Sequence, residues 1–133
     1  MTAEIIYNGQ LRTSATHLRS GNTIINDAPI DNHGKGEAFS PTDLVATALG
    51  TCILTIMGIS AQKNKIDMQG AKAEVTKVMA SEPRRIAKIE VIIKMPQNNY
   101  SDQDKHILKQ ALDNCPVCRS LHPDMTQDIK IIW

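Results

Sequence analysis

Apolar and polar positions follow different periods in different parts of this chain. The first third is extended in character. Residues 4–18 form a polar, Thr-rich stretch, and Arg19-Ser20-Gly21-Asn22 signals a turn leading into Thr23-Ile24-Ile25. Residues 31–37, Asp-Asn-His-Gly-Lys-Gly-Glu, read as a loop in which Gly34 and Gly36 supply backbone freedom.

A helical period takes over after Phe39. Ser40 is a candidate N-cap, Pro41 suits the first helical position, and Asp43 stands where a carboxylate favours a helix N-terminus. Leu44, Val45, Ala48, Leu49, Cys52, Ile53, Ile56 and Met57 keep helical spacing, while Ala46, Leu54 and Ile59 make the helix apolar on nearly every side. Such a helix must be covered all round and belongs in the middle of a structure. In so short a chain, a partner protomer is expected to supply part of the cover.

The middle third alternates. Ala71, Ala73 and Val75 interleave with Lys72, Glu74 and Thr76, and after Ser81-Glu82-Pro83 the run Ala87, Ile89, Val91, Ile93, Met95 is the clearest strand in the sequence. A second helix starts at Ser101 with Asp104 in the capping-box position, and Ile107, Leu108, Ala111, Leu112 and Cys115 line one face. Pro116 opens a short turn over residues 116–121, and Ile129, Ile131 and Trp133 close the chain as a strand. Two strand groups separated by helices predict an α+β fold in one domain, residues 1–133.

Composition narrows the function. The net charge is +1, with one Trp, one Phe and two Tyr, so neither an electrostatic footprint nor stacking platforms for nucleic acid are present. Residues 44–61 are at the short limit for a bilayer span and are diluted by Thr, Gly and Ser, so a buried helix is expected and not a membrane one. No basic segment followed by an apolar stretch opens the chain, and a cytoplasmic location is expected. There is no Walker spacing around His33-Gly34-Lys35-Gly36 and no Gly-x-Ser-x-Gly elbow, and no cofactor is expected.

The remaining chemistry is thiol chemistry, carried by three cysteines. Cys52, inside the central helix, fits a packed helix simply as a small hydrophobe. Gly50 leaves backbone room beside it, and Thr51 and Thr55 bring hydroxyls nearby. Cys115-Pro116-Val117-Cys118 could be a dithiol, half of a zinc site or coincidence. Pro116 at a helix start would make Cys115 the N-cap, where free N–H groups favour a thiolate, the nucleophilic form. With His122, this segment offers three zinc ligands, whereas a structural zinc takes four; His17, His33 and His106 are isolated.

Residues 40–52, Ser-Pro-Thr-Asp-Leu-Val-Ala-Thr-Ala-Leu-Gly-Thr-Cys, resemble the Pro-x-(polar)-Leu-(apolar)-Ala-Ala-x-x-x-x-Cys helix of the OsmC/Ohr (organic hydroperoxide resistance) family. Asn114-Cys115-Pro116-Val117 resembles that family's second signature, and element order agrees along nearly the whole chain. The resemblance implies an OsmC-like fold of antiparallel sheets with a long buried central helix, in an intertwined homodimer. It also implies a peroxidase reaction. Cys52 would attack an organic hydroperoxide, Cys115 would resolve the sulfenic acid to a disulfide, and a dithiol such as a lipoylated protein would restore both thiols.

Two departures bear on that expectation. Family peroxidases place a glutamate ten residues before the helix cysteine, and here that position is Thr42. Asp43 is adjacent but lies about 100° further round the helix, and Glu37 is the candidate substitute. Arg12 and Arg19 lie in the N-terminal strands and no arginine follows until Arg84; Arg19 is the candidate partner arginine. The alternative reading is a non-catalytic redox sensor or binder of small apolar ligands, and a third is a dithiol exchanger using Cys115 and Cys118. Cys118 itself is read as a buried thiol in preference to a spare resolving one.

Overall fold

The computed structural model describes residues 1–133, which fold as two compact units, Met1–Val45 and Ala46–Trp133.

The first unit is a three-stranded antiparallel sheet of β1 (Ala3–Gly9), β2 (Arg12–His17) and β3 (Thr23–Asp27), in the order β1-β2-β3. The extended stretch expected over residues 4–18 is therefore a hairpin. Its turn passes through Gln10 and Leu11, both at positive φ (53° and 60°), a geometry that matches the twist of paired strands. The Arg19–Asn22 segment turns as expected, with Gly21 at φ 76°. Register places Ile5, Ala15 and Ile24 in one cross-strand row and Ile6, Ser14 and Ile25 in the adjacent one. Neighbouring rows point to opposite faces, so both faces carry isoleucine. All four isoleucines are exposed, and the only buried residues of this unit are the polar Asn26, Asp27 and Ser40.

Helix α1 (Pro41–Asn64) begins on a reciprocal cap: the Ser40 N–H donates to Asp43 Oδ2 (2.9 Å) and the Asp43 N–H donates to Ser40 Oγ (3.1 Å). Along it, Ala46, Leu49, Gly50, Ile53, Met57 and Ala61 are buried. That is one stripe, not the whole surface; Val45 and Ile59 remain exposed in the single chain. By length and composition α1 could cross a membrane. Its stripe instead belongs to the hydrophobic core, and it is a core helix.

The second unit sets that stripe in one cluster with the sheet β4 (Lys72–Ala80), β5 (Arg85–Lys94), β6 (Thr126–Ile132). Strand β5, the clearest in the sequence, is central, and Ile89, Val91 and Ile93 are fully buried. It pairs antiparallel with β4, while β6 joins it in parallel, so this sheet is mixed. A parallel neighbour requires a crossover, and α2 (Asp102–Ala111) and α3 (Pro116–Ser120) lie within it. Ser101 and Asp104 form the expected capping box on α2, which contributes Leu108 and Ala111 to the core.

Gly50 explains how α1 reaches the sheet. A Cβ at this position would lie 2.7 Å from Val75 Cγ2 on β4. The room that the sequence suggested beside Cys52 is thus filled by β4. Gly50→Ala gains about 1 kcal/mol of helix propensity but meets an overpacking cost of about 1–3 kcal/mol. The expected result in urea unfolding is a net loss of about 1 kcal/mol; increased stability would show that β4 yields freely.

Candidate functional site

The two cysteines singled out from the sequence come together. Cys52 Sγ and Cys115 Sγ are 3.3 Å apart across 63 residues of chain. Cys52 projects from the middle of α1 and is half-buried, whereas Cys115 is fully buried. A disulfide needs about 2.05 Å between sulfurs, so a short approach would join them.

Cys115 takes its place from local sequence. Helix α2 runs on into a tight 3-10 turn over Leu112–Asn114, and Pro116 then starts α3, leaving Cys115 as N-cap at φ −71°, ψ 109°. Its sulfur accepts the Cys118 N–H at 3.2 Å. Burial works against a thiolate at Cys115. Hydrogen bonds from the Cys118 thiol and N–H, from Cys52 and from the Val117 N–H outweigh it, and its pKa falls below the ordinary thiol value. Burial pushes Cys52 up, opposed by the Val117 N–H and reinforced by Cys115. Cys118 is pushed up to about 12 by burial and by its hydrogen bond to Cys115. The buried sulfur is therefore the readier of the two to ionise, and the more accessible one holds its proton more tightly.

The carboxylate candidates lie in the other unit and are engaged there. Glu37 is exposed and accepts from Arg12 Nη2 at 2.9 Å. Arg12 also grips Asp27 with Nε to Oδ1 at 2.7 Å and Nη2 to Oδ2 at 2.8 Å. That hydrogen-bonded pairing holds the Asp27 carboxyl below the usual carboxylate range. Arg19 sits exposed in the turn between β2 and β3 and is not the residue that meets Glu37. Asp43 is committed to the α1 cap, and Thr42 Oγ1 hydrogen-bonds Ser40 Oγ at 3.1 Å. The Arg12–Asp27 pair was legible in principle. Counting outward from the turn, Thr16 faces Thr23 and Arg12 faces Asp27.

A groove of about 470 Å³ lies between α1 and α2, with Ile56, Ile59, Ile107, Ala111 and Asn114 on its walls. Ile56 is one helical turn beyond Cys52, and Ala111 one turn before Cys115. No group of three or more His, Cys, Asp or Glu side chains is arranged to hold a metal ion.

A helix-borne thiol facing a second, buried thiol on a two-sheet α+β frame defines a small class of cysteine-pair proteins. The chain belongs to the OsmC-like protein family, whose model matches residues 34–130. A proposed osmotic-stress-induced and detoxification-response protein from Psychrobacter arcticus 273-4 is 50% identical, with 99% of this chain and 96% of that one covered and a TM-score of 0.94. At 12% identity, the organic hydroperoxide resistance protein OsmC of Legionella pneumophila shares the fold, with a TM-score of 0.78 over 100% of this chain and 98% of its own. So does a Vibrio cholerae protein assigned to organic hydroperoxide resistance and solved with captopril in one of its active sites (13% identity, TM-score 0.72, 98% and 91% covered). No match exists among curated proteins.

The charge distribution is open to test. Ultraviolet thiolate absorbance of the reduced protein should titrate one thiol below the ordinary value, with thiolate growing as pH rises through that step. Cys115→Ser should remove the step and Cys52→Ser retain it; its survival in Cys115→Ser would place the thiolate elsewhere.

Proposed function

We propose that this protein is a cytoplasmic, thiol-dependent peroxidase that reduces organic hydroperoxides through Cys52 and Cys115. The observation that carries the reading is the 3.3 Å sulfur pair with one accessible and one buried member. Cys52 is the thiol a peroxide can reach. The Cys115 sulfur, in its thiolate form, is placed to take the Cys52 proton as attack begins. Cys52 sulfur then bonds the distal peroxide oxygen, the O–O bond breaks, and the alkoxide leaves as an alcohol with a proton. Cys115 attacks the resulting sulfenic acid, releasing water and forming the Cys52–Cys115 disulfide. A dithiol, such as a lipoylated protein, returns both to thiols. The stoichiometry is two thiols and one hydroperoxide to one disulfide, one alcohol and one water.

The groove between α1 and α2, which neither sulfur lines, supports an organic substrate. Its three isoleucines would take an apolar tail, with Ser60, Lys63, Asn64 and Gln110 making the rest of the wall polar. The peroxide-resistance names of two proteins that share the fold agree with this reading. Glu37 and Arg19, as substitutes for the family's carboxylate and arginine, remain part of the proposal. Glu37's pairing with Arg12 makes Arg12 the better-placed guanidinium to hold it. A redox sensor on the same fold is the second reading, favoured by Thr42 being tied to the helix cap in place of a carboxylate.

We also propose a homodimer, because both faces of the N-terminal sheet expose isoleucines that nothing in the single chain buries. Sedimentation should give twice the chain mass of 14.7 kDa; a monomer at micromolar concentration would remove that interface. For activity, cumene hydroperoxide should be consumed faster than hydrogen peroxide with dihydrolipoamide as reductant, and Cys52→Ser should fall to background. Equal inertness of wild type and Cys52→Ser, with thiols verified as reduced, would shift the assignment to a sensor.

A further inference from the structure

Cys118 is more than a space-filling thiol. It occupies the third position of α3, and its N–H donates to Cys115 Sγ at 3.2 Å. Cys52 Sγ lies 3.3 Å from that sulfur as well. Cys115 thus meets the thiol of Cys52 from α1 and the backbone of Cys118 from α3, and both of those cysteines pack against the hydrophobic cluster that holds Cys115. A cap residue and the third residue of its helix are close enough for the side chain of one to bond the backbone of the other. That spacing is compatible with the Cβ separation of about 3.5–4.5 Å that a disulfide needs.

We propose that Cys118 is a second resolving thiol, which moves the disulfide from Cys52–Cys115 to Cys115–Cys118 and returns Cys52 to its reduced form. The relay rests on the peroxidase reading for its physiological oxidant, though not for its chemistry. Cys118 loses its proton and attacks Cys115 Sγ. The new Cys115–Cys118 bond forms as the Cys52–Cys115 bond breaks, and Cys52 leaves as a thiolate that takes up the proton Cys118 lost. Two electrons move within the trio and no further oxidant or reductant enters.

The timing follows from the electrostatics. In the reduced protein, burial pushes Cys118 up, and its hydrogen bond to Cys115 and the repulsion of a charge there add to that. Once Cys115 is tied to Cys52, it carries no charge, and those causes vanish. Burial still opposes ionisation, but Cys118 is freed to react only after the first disulfide has formed. Cys118→Ser would therefore leave the first oxidation intact and stop the transfer.

The test oxidises reduced wild type and Cys118→Ser with one equivalent of cumene hydroperoxide, and separate samples with diamide. Samples are then denatured, alkylated and mapped by tryptic mass spectrometry. Residues 110–119 hold both Cys115 and Cys118 in one tryptic peptide, so their bond appears as the loss of two hydrogens within it. Wild type should end with that internal bond and an alkylated Cys52, and Cys118→Ser with Cys52 joined to Cys115. An alkylated Cys118 and a lasting Cys52–Cys115 link in wild type, under both oxidants, would overturn the relay. The internal bond formed by diamide in wild type but not in Cys52→Ser, with no reaction toward hydroperoxide, would uphold the relay while removing the peroxidase; its formation in Cys52→Ser as well would overturn the relay.

Discussion

The contact on which the thiol site depends is the one between Gly50 of α1 and Val75 of β4. With no side chain at position 50, the helix backbone reaches the sheet, and the rest of the stripe falls into place around it. Leu49, Ile53 and Met57 are wholly buried in one cluster with Ile89, Val91 and Ile93 of β5. Each such side chain contributes about 1.5–3 kcal/mol on burial, enough to hold the helix against rolling. The rotation of α1 decides which way Cys52 faces, one residue before the buried Ile53. Helix α2, anchored by Leu108 and Ala111 in the same cluster, carries Cys115 to meet it.

Access and reactivity are divided between the two sulfurs. A fully buried thiolate is costly unless it is hydrogen-bonded, and Cys115 meets that condition through the Cys118 and Val117 N–H groups. The same burial that the thiolate tolerates would keep a peroxide away. Cys52 has the opposite balance: it is reachable, but burial holds it protonated. In the proposed peroxidase, a pair at 3.3 Å would reconcile these demands, with a proton passing from the exposed sulfur to the buried one as the bond to oxygen forms. A protonated thiol of raised pKa is a strong nucleophile once it loses its proton.

Much of this was legible from residue types, because the signals were local. Ser40-Pro41 and Ser101 with Asp104 marked helix starts, and Pro116 marked Cys115 as a cap, since a proline at the first helical position fixes what precedes it. The alternation from Ala87 to Met95 identified the central strand. What escaped was set by partners distant in sequence. Alternation is the same whether β6 runs parallel or antiparallel to β5, so the mixed sheet was not visible. Gln10 and Leu11 are not residues that announce a positive-φ turn, which hid the first hairpin. Arg12 and Asp27 could be paired by counting from the Arg19–Asn22 turn, but Glu37 joins them from a loop that no local signal aims at Arg12, so the arginine that meets Glu37 went unrecognised.

The N-terminal sheet poses a separate physical problem. A three-stranded sheet is stable when one face is packed, yet here Ile5 and Ile6 are 64% and 56% exposed and Ile24 and Ile25 are 49% and 51% exposed. Interior order comes instead from polar contacts, with Asp27 accepting from Arg12 and from the Glu37 N–H. Ion pairs of this kind fix geometry more than they stabilise a fold. The isoleucine rows lie on both faces, so a single covering layer would satisfy only one of them. An intertwined second chain, which can reach around a sheet in a way that a flat contact cannot, answers that geometry. It would also cover Ile59 on the outer side of α1. The proposed dimer thereby follows from the same need for apolar cover that the all-round apolar composition of α1 first raised.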